Sequence, residues 1–316
     1  MIETRRNIQA GSAAAVALLS IVAGALAAFP AAVPLPQKKP NIHVETTLVT
    51  VIASVQTHEG RPVLDLPRED FAISEEGVTQ QIERFEAETN QPLDLALMID
   101  TSLSTLKDLK FVGETAAHFI RQVVRPGDRL AVFEFSDEVT QLSDFSANVP
   151  ALQAAVRRIS TGAGTVMYDA IMLGSRALQH GDASRRRVIV LVTDAGETTS
   201  HAKFDDARQA AVASGALLYS IVIRTIKSES GRNTAGEHAL ETITDTTGGA
   251  MYYPDGVEEL DAMFDRIDRE LRTQYLLGYY PRPAPPPGAF RKLEVTVKGD
   301  YVVRARKGYL TPGASR

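Results

Sequence analysis

The chain has no cysteine and no tryptophan. Without cysteine there is no disulfide framework, thiol nucleophile, zinc ribbon or iron–sulfur site. The six histidines include no HExxH spacing, so the zinc-protease pattern is missing. No GxSxG elbow and no GKS or GKT phosphate loop occurs either, which removes the commonest serine-hydrolase and nucleotide-binding signatures. Basic charge is in short supply. Lys and Arg number 34 against 39 Asp and Glu, a formal net charge of −5, which argues against a nucleic-acid partner. What is there is ordinary: 44% apolar and 23% charged residues over 316 positions. That composition excludes a disordered, collagen-like or multi-span membrane chain, and the length allows two domains.

The first residues read as an address. Arg5 and Arg6 precede an uncharged run, Asn7 to Gln37, whose apolar centre is Ala13 to Phe29. This is the layout of a signal peptide, with Ala25-Leu26-Ala27 as a small-x-small cleavage site. Thr4-Arg5-Arg6 with Ile8 fits a twin-arginine signal loosely. Ala10 to Phe29 is also long enough to span a bilayer as an uncleaved anchor. Residues 1–29 are therefore expected to be a signal peptide or membrane anchor, and either places the remainder outside the cytoplasm. Pro30, Pro34, Pro36 and Pro40 make 30–40 an extended linker.

Residues 41–88 carry strand signals. Ile42, Val44, Leu48 and Ile52 share one parity. Phe71 to Ile73 and Gln81 to Phe85 flank the turn Glu75-Glu76-Gly77. From Leu93 the pattern alternates between buried-strand runs (Leu93 to Asp100, Arg129 to Ser136, Val188 to Thr193, Ala216 to Ile223, Ala250 to Tyr253) and helical stretches. The first helix runs to about Val124 with Phe111, Phe119, Ile120 and Val123 on its apolar side, and the last is Val257 to Leu271. Such alternation predicts an open α/β fold with a mostly parallel sheet. After Gln274 strands return, and Gly299-Asp300 reads as a two-residue hairpin turn. The two β-rich ends, 41–88 and 274–312, are expected to form one small β-sandwich-like domain. The α/β domain, 89–273, is inserted between them, and 313–316 is a tail.

Ligands of open parallel sheets bind at the carboxyl ends of the strands. Asp100, Ser102 and Ser104 follow the first buried strand, Asp194 follows the Val188 strand, and Thr165 ends the loop Thr161-Gly162-Ala163-Gly164-Thr165 before a helix. Together they offer two carboxylates and three hydroxyls, a hard-oxygen set suited to Mg²⁺ or another small divalent ion. Each piece taken alone also reads as a cap or turn residue.

With these residues in place, 90–273 resembles a von Willebrand factor A (VWA) domain, a Rossmann-like fold with a metal-ion-dependent adhesion site. The resemblance implies that Asp100, Ser102, Ser104, Thr165 and Asp194 hold Mg²⁺ (or Mn²⁺ or Ca²⁺), the serines directly. It implies that a partner protein supplies an exposed Asp or Glu. In related domains the last helix shifts when the partner binds. Ala195 departs from the glycine found there in many members, a change bearing on backbone freedom. Leu66 to Phe71, Met167 to Ala170 and Arg304 to Tyr309 extend the resemblance to VWFA-related proteins described as the acidobacterial type. The expectation is an exported, non-enzymatic binding module. A cell-envelope scaffold or assembly factor and a metal-assisted hydrolase are the alternatives, along with a degenerate domain that binds no metal. Asp169, Glu197 and His201 are the bases a hydrolase would have to use. Ser104 to Lys107 and Ser200 to Lys203 match SxxK, but no KTG accompanies them.

Overall fold

Every residue of Leu93–Asp100 is buried, as a parallel strand covered on both faces must be. The computed structural model describes residues 47–87, 91–182, 184–223 and 233–313. The strands are β1 (Val49–Gln56), β2 (Phe71–Glu75), β3 (Val78–Gln80), β4 (Ile82–Glu86), β5 (Leu93–Asp100), β6 (Arg129–Phe135), β7 (Val139–Gln141), β8 (Arg186–Thr193), β9 (Leu217–Val222), β10 (Ala250–Tyr252), β11 (Tyr275–Tyr279), β12 (Phe290–Val297), β13 (Val302–Ala305) and β14 (Gly308–Leu310). The helices are α1 (Leu109–Val123), α2 (Val149–Val156), α3 (Met167–Gln179), α4 (Phe204–Ser214), α5 (Thr234–Thr247) and α6 (Leu260–Arg272). The signal-peptide or anchor segment and the linker lie outside the described residues. No helix among the described residues is long and apolar enough to cross a membrane.

The central sheet has the order β10-β9-β8-β5-β6-β7. All of its pairings are parallel except that of the short edge strand β7. Side chains of β5 alternate between two cores. Leu95, Leu97 and Ile99 meet α1, α2 and α6, while Ala96 and Met98 meet α3, α4 and α5. In α6 the residues Leu260, Phe264, Ile267 and Leu271 recur at helical spacing and are all buried, and Phe264 stacks on Phe119 with ring centroids 4.4 Å apart.

The chain ends supply two antiparallel sheets, β13-β1-β11-β4 and β14-β12-β2-β3, which enclose a third core around Val51, Ile73, Tyr275 and Tyr279. The expected fold class is thus the observed one, an α/β domain with a mostly parallel sheet plus a β-sandwich built from both termini.

Several local expectations need correction. Phe111 is exposed, and Val112 and Ala116 take the inward positions with Phe119 and Ile120; with apolar residues adjacent at 111 and 112, the sequence leaves the helix phase open. In β1 the odd positions Val49, Val51, Ala53 and Val55 fill the sandwich, whereas Ile52 turns the other way onto the α/β core. Both faces are covered, so parity alone selects the wrong one. Glu76 and Gly77 both have positive φ, 51° and 78°, and form the turn of a β2–β3 hairpin; the strand at 82–86 belongs to the other sheet. Gly299-Asp300 is likewise a passage between sheets. β12 pairs with β2 and β14, and β13 pairs with β1. The Lys298 amide bonds the Asp70 carbonyl at 2.9 Å, which fixes the end of β12.

One buried carboxylate joins sandwich to α/β sheet. Glu270 of α6, 2% exposed, accepts from Ser54 Oγ (2.9 Å), Gln56 Nε2 (3.0 Å), Tyr219 Oη (2.8 Å), Tyr252 Oη (3.2 Å) and the Arg304 guanidinium. Burial alone would raise its pKa. The Arg304 charge and these hydrogen bonds outweigh burial and hold it below the ordinary 4.5. Its stabilisation is therefore present above that value and lost as pH falls through the folded pKa. Glu270→Ala is expected to lower unfolding stability by about 3–5 kcal/mol, because Arg304 would be left buried without its counter-charge. Urea denaturation at pH 7 checks the loss, and the difference from wild type should shrink in acid.

Candidate metal centre

Asp100 closes β5 and points into the α3 side of the sheet's carboxyl edge. Its Oδ1 accepts from the Ser102 amide at 3.0 Å, and its Oδ2 accepts from Thr193 Oγ1 at 2.6 Å. Burial pushes its pKa up to about 6; bonds from Ser102 and Thr193 oppose that, and the negative charge of Asp194 adds to it. Neither Asp100 nor Asp194 has a Lys, Arg or His ion-pair partner among the described residues.

The following turn, 101–108, is bound back onto this strand end. Thr105 Oγ1 donates to the Asp100 and Ser102 carbonyls at 3.1 and 2.9 Å. This winding brings Ser102 Oγ and Ser104 Oγ to 3.0 Å from each other. The Thr161–Thr165 loop meets the same turn. Ser102 and Gly162 form a parallel bridge, and the Gly162 amide bonds the Thr101 carbonyl at 3.1 Å. Thr165 is buried and is tied to the loop after β8, its amide donating to Thr198 Oγ1 at 2.8 Å. In that loop the Gly196 amide bonds Asp194 Oδ1 at 2.9 Å. A Cβ on Gly196 would lie 2.9 Å from Asp194 Oδ1 and 3.2 Å from Thr165 Oγ1, so a side chain there would crowd both oxygens.

All five oxygen-bearing side chains named from the sequence thus belong to three loops held edge to edge. Among the described residues no cluster of three or more His, Cys, Asp and Glu side chains could hold a metal. A site here would be dominated by hydroxyls, with two carboxylates to balance a dication. The donor set, the absent counter-cation and the clearance at Gly196 all fit a small hard ion.

Sequence reasoning missed the residues that hold these loops. Asp137 accepts from the Ala163 and Gly164 amides at 2.8 and 2.7 Å. It follows β6, so its place at the end of the neighbouring parallel strand was the available signal. Thr193 and Thr198 belong to no motif in the sequence, yet they bond Asp100 Oδ2 and the Thr165 amide. Asp169 accepts from the amides of His201 and Ala202 at 2.9 and 2.8 Å. Glu197 accepts from the Tyr168 amide at 3.1 Å and from Ser200 Oγ at 2.8 Å. The His201 side chain is 95% exposed. These contacts use the two carboxylates as loop fasteners.

The family model for the von Willebrand factor type A domain matches residues 95–197, a span that contains all five residues. The chain contains a von Willebrand factor type A domain. A solved von Willebrand factor type A protein from Catenulispora acidiphila is similar over 84% of this chain and 74% of its own, at 12% identity and a TM-score of 0.50. The vWF domain of the type V pili tip protein Mfa5 from Porphyromonas gingivalis is similar over 57% of this chain and 95% of its own (13% identity, TM-score 0.48). The pilus adhesin SpaC from Lactobacillus rhamnosus GG is similar over 79% and 49% (9% identity, TM-score 0.49). A search of curated proteins finds no match.

Ala195 of this VWA domain sits at φ 61°, a left-handed conformation that glycine adopts at less cost. Its carbonyl lies against Gly236 in the first turn of α5, where a Cβ would overlap the oxygen. Gly236→Ala should therefore displace the 194–196 loop and cost about 1–3 kcal/mol, measurable as a lowered thermal midpoint. The raised Asp100 pKa gives a second expectation. Between the ordinary 3.8 and about 6 the folded chain binds the extra proton, so stability falls as pH rises through that window. Urea titrations in EDTA should show a loss of about 3 kcal/mol between pH 4 and pH 8. Asp100→Asn should abolish that step and make the metal-free protein more stable at pH 8.

Proposed function

We propose that the chain is an exported, non-enzymatic binding module that holds a divalent ion at the Asp100 rim and uses it to engage a partner protein. The observation that carries this reading is the convergence of Ser102 and Ser104, hydroxyl to hydroxyl at 3.0 Å, beside a buried Asp100 that lacks a cationic partner. Ser102, Ser104 and Thr165 would supply neutral oxygens, with Asp100 and Asp194 supplying charge. Mg²⁺ is the ion favoured by so hard a set, with Mn²⁺ and Ca²⁺ as alternatives. When bound, it supplies an electrophilic position for a carboxylate from outside. The partner is accordingly a protein with an exposed Asp or Glu. Export is supported by the Arg5-Arg6 and Ala13 to Phe29 pattern.

A scaffold or assembly factor of the envelope would use the same rim against a protein, so it differs in partner rather than in chemistry. The hydrolase alternative is weakened by one observation. Asp169 and Glu197 spend their oxygens on backbone amides and Ser200, which leaves neither placed as a base.

Calorimetric titration with Mg²⁺ and Mn²⁺ tests the reading. Wild type should bind one ion, and Ser102→Ala/Asp194→Ala should bind at least ten-fold more weakly; equal affinities would overturn the assignment. Capture from envelope extract should then yield a partner in Mg²⁺ that is lost in EDTA and with Asp100→Ala.

A further inference from the structure

A second polar hollow, of about 290 Å³, lies between the turn after β1 and the outer side of α6. It shares no residue with the Asp100 rim and does not rest on the metal reading. Its cationic wall is Arg61 from the turn and Arg266 and Arg269 from the helix. The Arg266 guanidinium lies over the Tyr252 ring, 5.0 Å from its centroid, which fixes its plane. Its Nε is buried with no hydrogen-bond partner. A Cβ at Gly60 would stand 2.5 Å from Arg266 Nη2, so the turn lies directly against this guanidinium. Arg269 is exposed, and its side chain has no acceptor among the described residues. Arg61 faces Glu59 at 3.6 Å, with both side chains largely in solvent, a pairing of little strength.

The charges do not cancel. Of the two acids lining the hollow, Glu270 is already matched by Arg304, and Glu59 is a single exposed carboxylate set against three guanidinium groups. Arg269 has no acceptor among the described residues and Arg61 has only the solvent-exposed Glu59, so both guanidinium groups are free to take an acceptor from outside the chain. A carboxylate presents two oxygens in one plane and is satisfied by one guanidinium fork. Three forks approaching from a turn and from neighbouring turns of a helix (i, i+3) suit oxygens directed several ways.

We infer that this hollow is a binding site for a tetrahedral oxyanion, a phosphate or sulfate group, either free or carried on a polymer. Bound there, the anion would bridge the β1–β2 turn to α6, beside the Glu270 contacts that join sandwich to sheet.

The test is calorimetric titration of the full chain in EDTA with sodium phosphate, sodium sulfate and dextran sulfate, at an ionic strength held constant with sodium chloride. Saturable one-to-one binding of phosphate or sulfate is expected, together with a thermal midpoint raised above that of the chloride control. Arg269→Gln removes an exposed, unengaged side chain and should leave the ligand-free midpoint unchanged while weakening binding at least ten-fold; Arg61→Gln should weaken it similarly. Dextran sulfate binding more tightly than sulfate, and losing that advantage in both variants, would assign a polymer-borne group; equal affinity would assign the free anion. Absence of binding beyond the chloride control, or wild-type affinity in both variants, would overturn the inference. Because EDTA empties any cation site, neither result depends on the rim at Asp100.

Discussion

A carboxylate buried where the last helix meets the sandwich sets the geometry of everything around it. An isolated charge at Glu270 would cost several kcal/mol in an apolar interior, so the fold must bring Arg304, Tyr219, Tyr252, Ser54 and Gln56 to it together. Those partners come from β13, β9, β10 and β1. Gln274 extends the cluster, bonding Ser54 Oγ at 3.1 Å and Tyr219 Oη at 3.0 Å, and it accepts from Arg186 at 3.0 Å. The sandwich is therefore no appendage. It shares a polar seam with the sheet, and Ile52 of β1 packs directly on the α/β core.

That seam bears on how binding could be transmitted. The resemblance to VWA domains implies a shift of the last helix on binding. Here a slide of α6 by one turn would move Glu270 away from all five partners and strand Arg304, a penalty of about 3–5 kcal/mol. Driving a two-state equilibrium from one extreme to the other takes about 5.5 kcal/mol of differential affinity, so most of that would be consumed at Glu270 alone. The loops of the rim face no comparable obstacle. Leu103 and Leu106 in the 101–108 turn are exposed, and from Leu103 to Asp108 the turn is held by local hydrogen bonds, its longer-range bonds being made at Thr101 and Ser102. Adjustment to a ligand is cheaper at the rim than along α6.

The architecture was legible because its signals are one-dimensional. A run such as Leu93–Asp100 declares a doubly covered parallel strand, and residues just after such strands must collect at one edge. That is why Asp100, Ser102, Ser104, Thr165 and Asp194 could be named together. The rest depends on contacts that no local pattern encodes. Phe111 and Val112 are equally apolar, and only the position of α6 decides which is buried. Gly299-Asp300 has the composition of a hairpin turn, yet its flanking strands find better partners in β1 and β2. Asp137 and Thr193 act through backbone amides and a neighbouring carboxylate, and the spacing of residues in sequence says nothing about such bonds. The Glu270 partners lie between 18 and 216 positions away, beyond the reach of any periodicity argument.

The electrostatics of the rim narrow what could complete it. Asp100 is ionised at neutral pH only against the pull of burial, which sets its pKa near 6, and Asp194 adds a like charge. A structural carboxylate in that position is ordinarily relieved by an arginine, as Asp94 is by Arg129 and Arg185 at the opposite end of the same strand. The two ends of β5 thus carry buried acids with opposite solutions. At Asp94 the protein supplies its own cations and lowers the pKa. At Asp100 it supplies hydroxyls and one amide, which orient the carboxylate without neutralising it. Hydroxyl donors can turn their lone pairs toward a cation, whereas a guanidinium would repel one. An arginine would neutralise the rim as Arg129 and Arg185 neutralise Asp94; the serine and threonine hydroxyls leave its negative charge in place, which is the feature the proposed cation site rests on.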